Sequence, residues 1–169
     1  MDLLSLIGRD SELFSSDIES HEDALKNIIQ KSRFMIIGGA GTIGQSVTRE
    51  IFKRDPKILH VVDISENNMV ELVRDLRSTE GYGSGEFKTF AIDCGSLEFE
   101  ALVNDQGPYD FVFNLSALKH VRSEKDVFSI QAMIENNLLQ ARNLLDLLLQ
   151  YPPEHFFCVS TDKAANPVN

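Results

Sequence analysis

Three groups of residues in this 169-residue chain have types and spacings suited to chemistry. The first is Gly38-Gly39-Ala40-Gly41-Thr42-Ile43-Gly44, with glycine at 38, 41 and 44. Gly38 permits a tight turn, Gly41 lets backbone approach a pyrophosphate, and Gly44 lets the next helix pack closely on the strand before it. The opening turn of that helix, at Thr42 and Ile43, would offer unpaired amides and a partial positive charge to phosphates. A glycine triplet alone is weak evidence, since a plain strand-to-helix turn has the same composition. The second group is a pair of carboxylates, Asp63 and Asp93. Asp63 lies nineteen residues after Gly44, where a carboxylate accepts both ribose hydroxyls of an adenosine. It would also repel a 2′-phosphate, which favours NAD as cofactor with NADP as the alternative. As a helix N-cap, Asp63 would look the same, and Ser65 serves that role equally well. The third group is two polar clusters, Asn114 to Val121 and Ser160 to Pro167. Small residues at Ser116 and Ala117 would let backbone run beside a ribose and a nicotinamide. Thr161-Asp162-Lys163 offers a hydroxyl, a carboxyl and an amine in succession. Without further information those three read as a solvated loop with a helix cap and a surface lysine.

The elements that must position these groups follow from apolar periodicity. Phe34 to Ile37 is a fully apolar run ending in glycines, the mark of a buried strand. Ile43 to Arg54 has helical spacing and stops before Asp55-Pro56. Ile58 to Val62 is a second strand closed by Asp63, followed by a helix over Glu66 to Arg77. Thr79 to Gly85 is a glycine-rich loop, Phe87 to Ile92 a third strand, and Phe99 to Val103 part of a short helix. After the turn Gly107-Pro108, Phe111 to Leu115 is a fourth strand. Val127 to Leu149 is the longest helix, ended by Pro152-Pro153, and His155 to Ser160 is a fifth strand. Strands alternating with helices imply right-handed βαβ units. The expected fold is α/β: a Rossmann-type, doubly wound parallel sheet over residues 31–169. Ligands in such folds lie outside the carboxyl ends of the strands, so the glycine turn and both polar clusters point into one crevice. Residues 1–30 read as an N-terminal helical extension. Ala24, Leu25, Ile28 and Ile29 recur at helical spacing from Ser20, the expected N-cap, to Gln30. That helix is expected to pack outside the main domain, with a dimer contact as the alternative.

Composition limits the partners. The formal net charge is −10, from 26 acidic and 16 basic residues, and a field of that sign repels nucleic acid and anionic membrane surfaces. No apolar run approaches the roughly 20 residues that span a bilayer, and Met1-Asp2-Leu3-Leu4 lacks the basic start of a signal peptide. Cys94 and Cys158 form no CxxC or paired His/Cys spacing, so neither a metal site nor a disulfide framework is expected. Both cysteines are expected to be inert core thiols in a cytoplasmic protein.

The glycine spacing Gly38-x-x-Gly41-x-x-Gly44 resembles that of the short-chain dehydrogenase/reductase superfamily. GGAGTIG, SALKHV, Asn137 in the long helix and STDKAANPVN together resemble the UDP-N-acetylglucosamine 4,6-dehydratase family of polysaccharide-biosynthesis proteins. The likeness runs from about residue 31 to residue 169, with STDKAANP its most specific part. Leu6-Ile7-Gly8-Arg9 is similar to the lead-in of longer family members. This resemblance implies a UDP-sugar substrate and an internal redox cycle: NAD(P)+ takes a hydride from sugar C4, water leaves across C5 and C6, and the hydride returns to C6. Carried over, Thr161 would hydrogen-bond the C4 oxygen, Asp162 would protonate the departing C6 hydroxyl, and Lys163 would remove the C5 proton. A C4 ketone acidifies C5–H, so a modest base suffices, whereas hydroxide leaves badly without a proton donor. Lys163 would have to be held below the usual lysine value of about 10.4, and Asp162 would have to stay protonated.

The same resemblance implies that Asp93, at the end of the third strand, binds the adenine amine; as a plain turn residue it would look identical. Cys94, Leu115, Ser116, Ala117, Lys119, Asn137 and Ser160 would complete the cofactor set with Gly38, Gly41, Thr42, Ile43, Gly44 and Asp63. Lys119 and His120 would reach the substrate diphosphate, although a histidine after a strand is more often a packed or capping residue. Asn137 would brace the active-site strand or a water. Arg122-Ser123-Glu124-Lys125 departs from the family's usual proline after the HV pair, so a different local loop is expected there. The YxxxK pair expected after STDK is not in the chain, so an N-terminal part of a longer enzyme is expected, binding NAD without turning over UDP-GlcNAc. A non-catalytic dinucleotide-binding module and a related 4-epimerase or 4-reductase are the alternatives. Pairing of two copies through the long helix is a further implication of the resemblance.

Overall fold

The computed structural model describes residues 3–119 and 126–160. Two helices open the chain, α1 (Leu3–Leu6) and α2 (Ser15–Lys31). The series β1 (Arg33–Ile37), α3 (Thr42–Phe52), β2 (Ile58–Asp63), α4 (Glu66–Thr79), β3 (Glu86–Ala91), α5 (Leu97–Gln106) and β4 (Phe111–Asn114) follows. A long helix comes next, made of α6 (Val127–Ile134), a π-helical segment Glu135–Leu139 and α7 (Gln140–Leu148), and β5 (His155–Cys158) completes the order. All strand pairings are parallel and the sheet order is β3-β2-β1-β4-β5. The order reverses direction between β1 and β4, so a crevice opens there at the carboxyl ends of the strands.

The uninterrupted apolar run of β1 is explained by layers on both faces of the sheet. Phe34 and Ile36 join Leu59 and Val61 of β2 on one face, under Ile51, Phe52, Met69, Leu72 and Leu76 of α3 and α4. Met35 and Ile37 join Val62 and Val112 on the other, under Phe99, Leu102 and Val103 of α5 and Leu144 and Leu148 of α7. Alternate side chains point to opposite faces, and each fully buried one contributes about 1.5–3 kcal/mol.

The N-terminal helix is longer than its periodicity suggests. It starts at Ser15, after Phe14 in a left-handed conformation (φ 64°), and the expected cap Ser20 lies inside it, donating its hydroxyl to Asp17 O at 2.9 Å. Local hydrogen bonds within the first turns override the capping preference of a serine. Ile29 joins the core under α3 and α4. The buried Arg54 guanidinium donates to both Glu22 oxygens, at 2.9 and 2.5 Å, and to Glu50, tying α2 to the end of α3. The long helix is also not uniform, because its α-helical hydrogen bonding gives way to the π segment over Glu135–Leu139. Cys158 is a second correction: β5 is an edge strand with every residue exposed, and the thiol is exposed with it. Cys94 is half-buried beside the crevice. Among the described residues, no helix is long and apolar enough to cross a membrane.

A polar group sits deep in this sheet. His60 of β2 is fully buried, with Nδ1 2.8 Å from the Tyr109 hydroxyl and Nε2 2.8 Å from Glu86 Oε1. An ionised carboxylate only accepts, so Nε2–H donates to Glu86 and Nδ1 accepts from Tyr109 O–H. Burial holds the His60 imidazole below its ordinary value, against the opposing pull of Glu86. The unfolded imidazole takes its proton near pH 6.5 while the folded one resists, so stability should be lost as pH falls below about 6.5. Urea denaturation at pH 7.5 and 5.5 is expected to show a larger acid loss for the wild type than for His60→Asn. Equal losses would mean that His60 does not titrate with unfolding.

Candidate functional site

The glycine turn leaves β1 at the point where the sheet reverses. Gly38 adopts φ +75°, a left-handed conformation that favours glycine, and a Cβ there would lie 2.6 Å from the Ser116 amide nitrogen. The Gly38 and Gly39 amides donate to Val62 O at 2.8 and 3.3 Å, anchoring the turn to β2. Gln45 Nε2 donates to Ala40 O at 2.8 Å. Gly44 is buried, and a Cβ on it would run into the Gly38 carbonyl and the Gly39 backbone. Gly41 is the exposed N-cap of α3, and the helix's first internal bond runs from Gln45 N–H to Gly41 O at 2.8 Å. The amides of Thr42, Ile43 and Gly44 therefore have no carbonyl ahead of them in the helix. Among the described residues, a Cβ on Gly41 would meet only Gly38 O, at 3.4 Å. The protein itself thus places little against that glycine, and the space is open for a ligand to approach the amides.

Asp63 ends β2 and faces this mouth. One of its oxygens accepts from Ala40 N–H at 3.0 Å and the other from Ser65 N–H at 2.9 Å. Ser65, not Asp63, caps α4 by accepting from Asn68 N–H at 3.4 Å. The carboxylate is oriented by two main-chain donors and keeps lone-pair capacity for hydroxyls. It lines a cavity of about 250 Å³ whose walls include Gly38, Gly41, Asp63, Asp93, Cys94 and Ser116. Asp93 lies two residues past β3 and accepts from Gly95 N–H at 2.8 Å. Burial pushes the Cys94 thiol up, helped by the neighbouring Asp93 charge.

The loop after β4 forms the opposite wall. Leu115 N–H donates to Ile37 O at 2.8 Å, continuing the ladder past β4. The buried Asn114 accepts from both the amide and the hydroxyl of Ser116, at 3.2 and 2.6 Å. Leu115, Ser116, Ala117 and Leu118 all reach the cavity. Asn137 holds this loop from outside: its Oδ1 accepts from Leu118 N–H at 2.8 Å and its Nδ2 donates to Leu118 O at 2.9 Å.

The structure thus gathers Gly38, Gly41, Asp63, Asp93, Cys94, Leu115, Ser116 and Ala117 around one cavity. Thr42 and Ile43 are exposed at the helix mouth beside it, while Gly44 packs beneath the turn. Lys119 and Ser160 are exposed and are not part of the cavity wall. Asn137 is bound to main chain, and its neighbour Asn136 is the asparagine that lines the cavity. Sequence reasoning missed Asn136 because the phase of a long helix shifts at a π segment, which leaves no composition signal. The hydrophobic walls Ile64 and Ile92 were missed as well, since apolar residues after strands read as core. His120, Thr161, Asp162 and Lys163 lie outside the described residues.

Sheet order and the glycine turn at its point of reversal define a Rossmann-type domain. The model of a family described as polysaccharide biosynthesis protein matches residues 34–169, and the chain belongs to that family. A Methanocaldococcus jannaschii protein named an uncharacterized membrane protein is 30% identical over 86% of this chain and 40% of its own length. The Staphylococcus aureus capsular polysaccharide biosynthesis protein CapD is 27% identical over 97% of this chain and 26% of its own length. A Campylobacter jejuni protein named UDP-N-acetylglucosamine 4,6-dehydratase (inverting) is 25% identical over 84% of this chain and 40% of its own length. The chain therefore spans well under half of these relatives. Among solved structures, Pen from Bacillus thuringiensis aligns with a TM-score of 0.69 at 23% identity, over 83% of this chain and 41% of that one. UDP-glucose-4-epimerase from Stenotrophomonas maltophila, solved with NAD and a UDP-pentose, aligns at 0.63 and 20%, over 78% and 38%. At these identities the structural likeness concerns the fold.

Proposed function

We propose that this chain is the NAD(P)-binding part of a UDP-N-acetylglucosamine 4,6-dehydratase, a lyase that makes a UDP-4-keto-6-deoxy-hexosamine for surface polysaccharide. The observation that carries the cofactor half is Gly41: nothing among the described residues requires a glycine there, yet its place beside the first-turn amides of α3 is where a diphosphate would approach. Asp63 would accept the adenosine ribose hydroxyls, its carboxylate already aimed by Ala40 and Ser65. That carboxylate supports NAD over NADP. Asp93 would take the adenine amine, and Ser116 and Ala117 would run along the nicotinamide ribose. When bound, the dinucleotide supplies reversible hydride storage.

The sugar half rests on STDKAANP and on the Campylobacter jejuni relative. Thr161 would bind the C4 oxygen, Asp162 would protonate the C6 hydroxyl as it leaves, and Lys163 would take the C5 proton. Lys119 and His120 would face the UDP diphosphate. A 4-epimerase is the second reading, because a Rickettsia massiliae protein of that name is 27% identical over 80% of this chain.

Two measurements test these assignments. Calorimetry on this chain is expected to show NAD+ binding, with Asp63→Ala weakening it about tenfold or more by loss of a charged hydrogen-bond acceptor. Unchanged affinity in that variant would remove Asp63 from the site. NMR of UDP-GlcNAc mixed with the polypeptide that carries this chain in the cell should show a 4-keto-6-deoxy product, whereas UDP-GalNAc would select the epimerase.

A further inference from the structure

Two turns wall the cavity, one after β3 and one after β4, and the long helix touches the back of both. Asn137 grips the second turn at Leu118. Three residues on, Gln140 opens α7 and meets the first: its Oε1 accepts from the Cys94 thiol at 3.6 Å. Its Nε2 lies where a side chain at position 95 would have to go, since a Cβ on Gly95 would stand 2.6 Å from Nε2 and 2.8 Å from Cδ. Gly95 has no left-handed φ, so a side chain there would be met not by backbone strain but by the Gln140 amide, which it would have to displace.

We infer that Gln140 is a positioning residue for base recognition, holding the Asp93–Gly95 turn so that the Asp93 carboxylate faces the adenine amine. This rests on the proposed dinucleotide site. Asp93 Oδ1 accepts from Gly95 N–H at 2.8 Å, and Asp93 O accepts the Ser96 amide at 3.1 Å and its hydroxyl at 2.8 Å. One carboxylate oxygen is thus held by the Gly95 amide, between the Cys94 thiol that donates to Gln140 and the side-chain space at position 95 that Gln140 fills. Burial keeps the Cys94 thiol protonated and able to donate to Gln140. A carboxylate has acceptor sites beyond the one that Gly95 uses, and Asp93 lines the cavity.

The probes are NAD+ and nicotinamide hypoxanthine dinucleotide, in which a carbonyl oxygen replaces the adenine amine. An accepting carboxylate pairs with the amine and repels the carbonyl, so the wild type should prefer NAD+ by about tenfold. Gln140→Leu is expected to narrow that preference to about twofold, chiefly by weakening NAD+. Gly95→Ala, which displaces Gln140 without removing it, should narrow it likewise and covers the case in which Gln140→Leu fails to fold. A preference that stays near tenfold in the folded variants, whatever happens to the absolute affinities, overturns the inference, because a purely structural brace would weaken both ligands alike. Equal wild-type affinity for the two ligands also overturns it while leaving the dinucleotide site standing. Binding of neither defeats the dinucleotide site itself.

Discussion

Gly41→Ala is expected to weaken NAD+ binding by about two orders of magnitude, or ~2.7 kcal/mol, while the melting temperature stays within about 2 °C of wild type. The unusual feature is the pairing of a large binding loss with an intact fold. At Gly38 and Gly44 an added Cβ strikes backbone: Ser116 and Leu115 at the first, Gly38 and Gly39 at the second. Substitution there must shift the turn, so lost binding would say little about a ligand. At Gly41 the added carbon meets, among the described residues, only Gly38 O at 3.4 Å, and the residue's φ of −72° and ψ of 169° suit any L-amino acid. The methyl group would instead stand in the open space beside Gly41, at the helix mouth where phosphate oxygens would need hydrogen-bond distance from the first-turn amides. Calorimetry together with thermal denaturation checks both halves. Unchanged affinity would mean that no diphosphate comes near Gly41.

The second large effect is expected at Lys163. In an enzyme that carries this chain and turns over UDP-GlcNAc, Lys163→Ala should lower the elimination rate about a thousandfold, within the range for a lost general base. NAD+ affinity should stay nearly unchanged, because the adenosine and diphosphate contacts are proposed for Gly41, Asp63 and Asp93. Loss of the C5 proton is readable separately: wild type should exchange C5–H for deuterium from heavy water during turnover, and the variant should not. Full turnover in Lys163→Ala would remove that residue from the mechanism. Loss of NAD+ binding together with activity would give it a cofactor role in place of proton transfer.

Much of the architecture was legible in the sequence for a simple physical reason. A strand covered on both faces favours apolar side chains at nearly every position; β1 from Phe34 to Ile37 is such a run and β2 is one apart from His60, so their places and their parallel pairing follow from local composition. The glycine turn is legible because its glycines follow a buried strand and open a helix at fixed spacing, a pattern contained in seven residues. Boundaries were less legible. Ser20 has the chemistry of an N-cap but lies within α2, since a serine hydroxyl is equally satisfied by a carbonyl in its own helix. Cys158 belongs to an apolar segment, yet it stands on the edge strand β5, exposed along its length among the described residues. Burial is a property of what packs against a residue and cannot be read from its type.

The sequence by itself determined the α/β class, the glycine turn, the acidic end of β2 and membership of a polysaccharide-biosynthesis family. Each of these is carried by short-range pattern, where residue type and spacing are sufficient. Tertiary structure decided which side chains share the cavity: it admits Asp63, Asp93, Cys94 and Asn136, and leaves Lys119 and Ser160 outside. It also decided that Asn137 and Gln140 act on main chain and turn, because a π segment sets the phase of the helix only once the helix has packed. Those contacts join residues nineteen and forty-six positions apart, and no local pattern encodes a separation that only chain folding brings to hydrogen-bond distance.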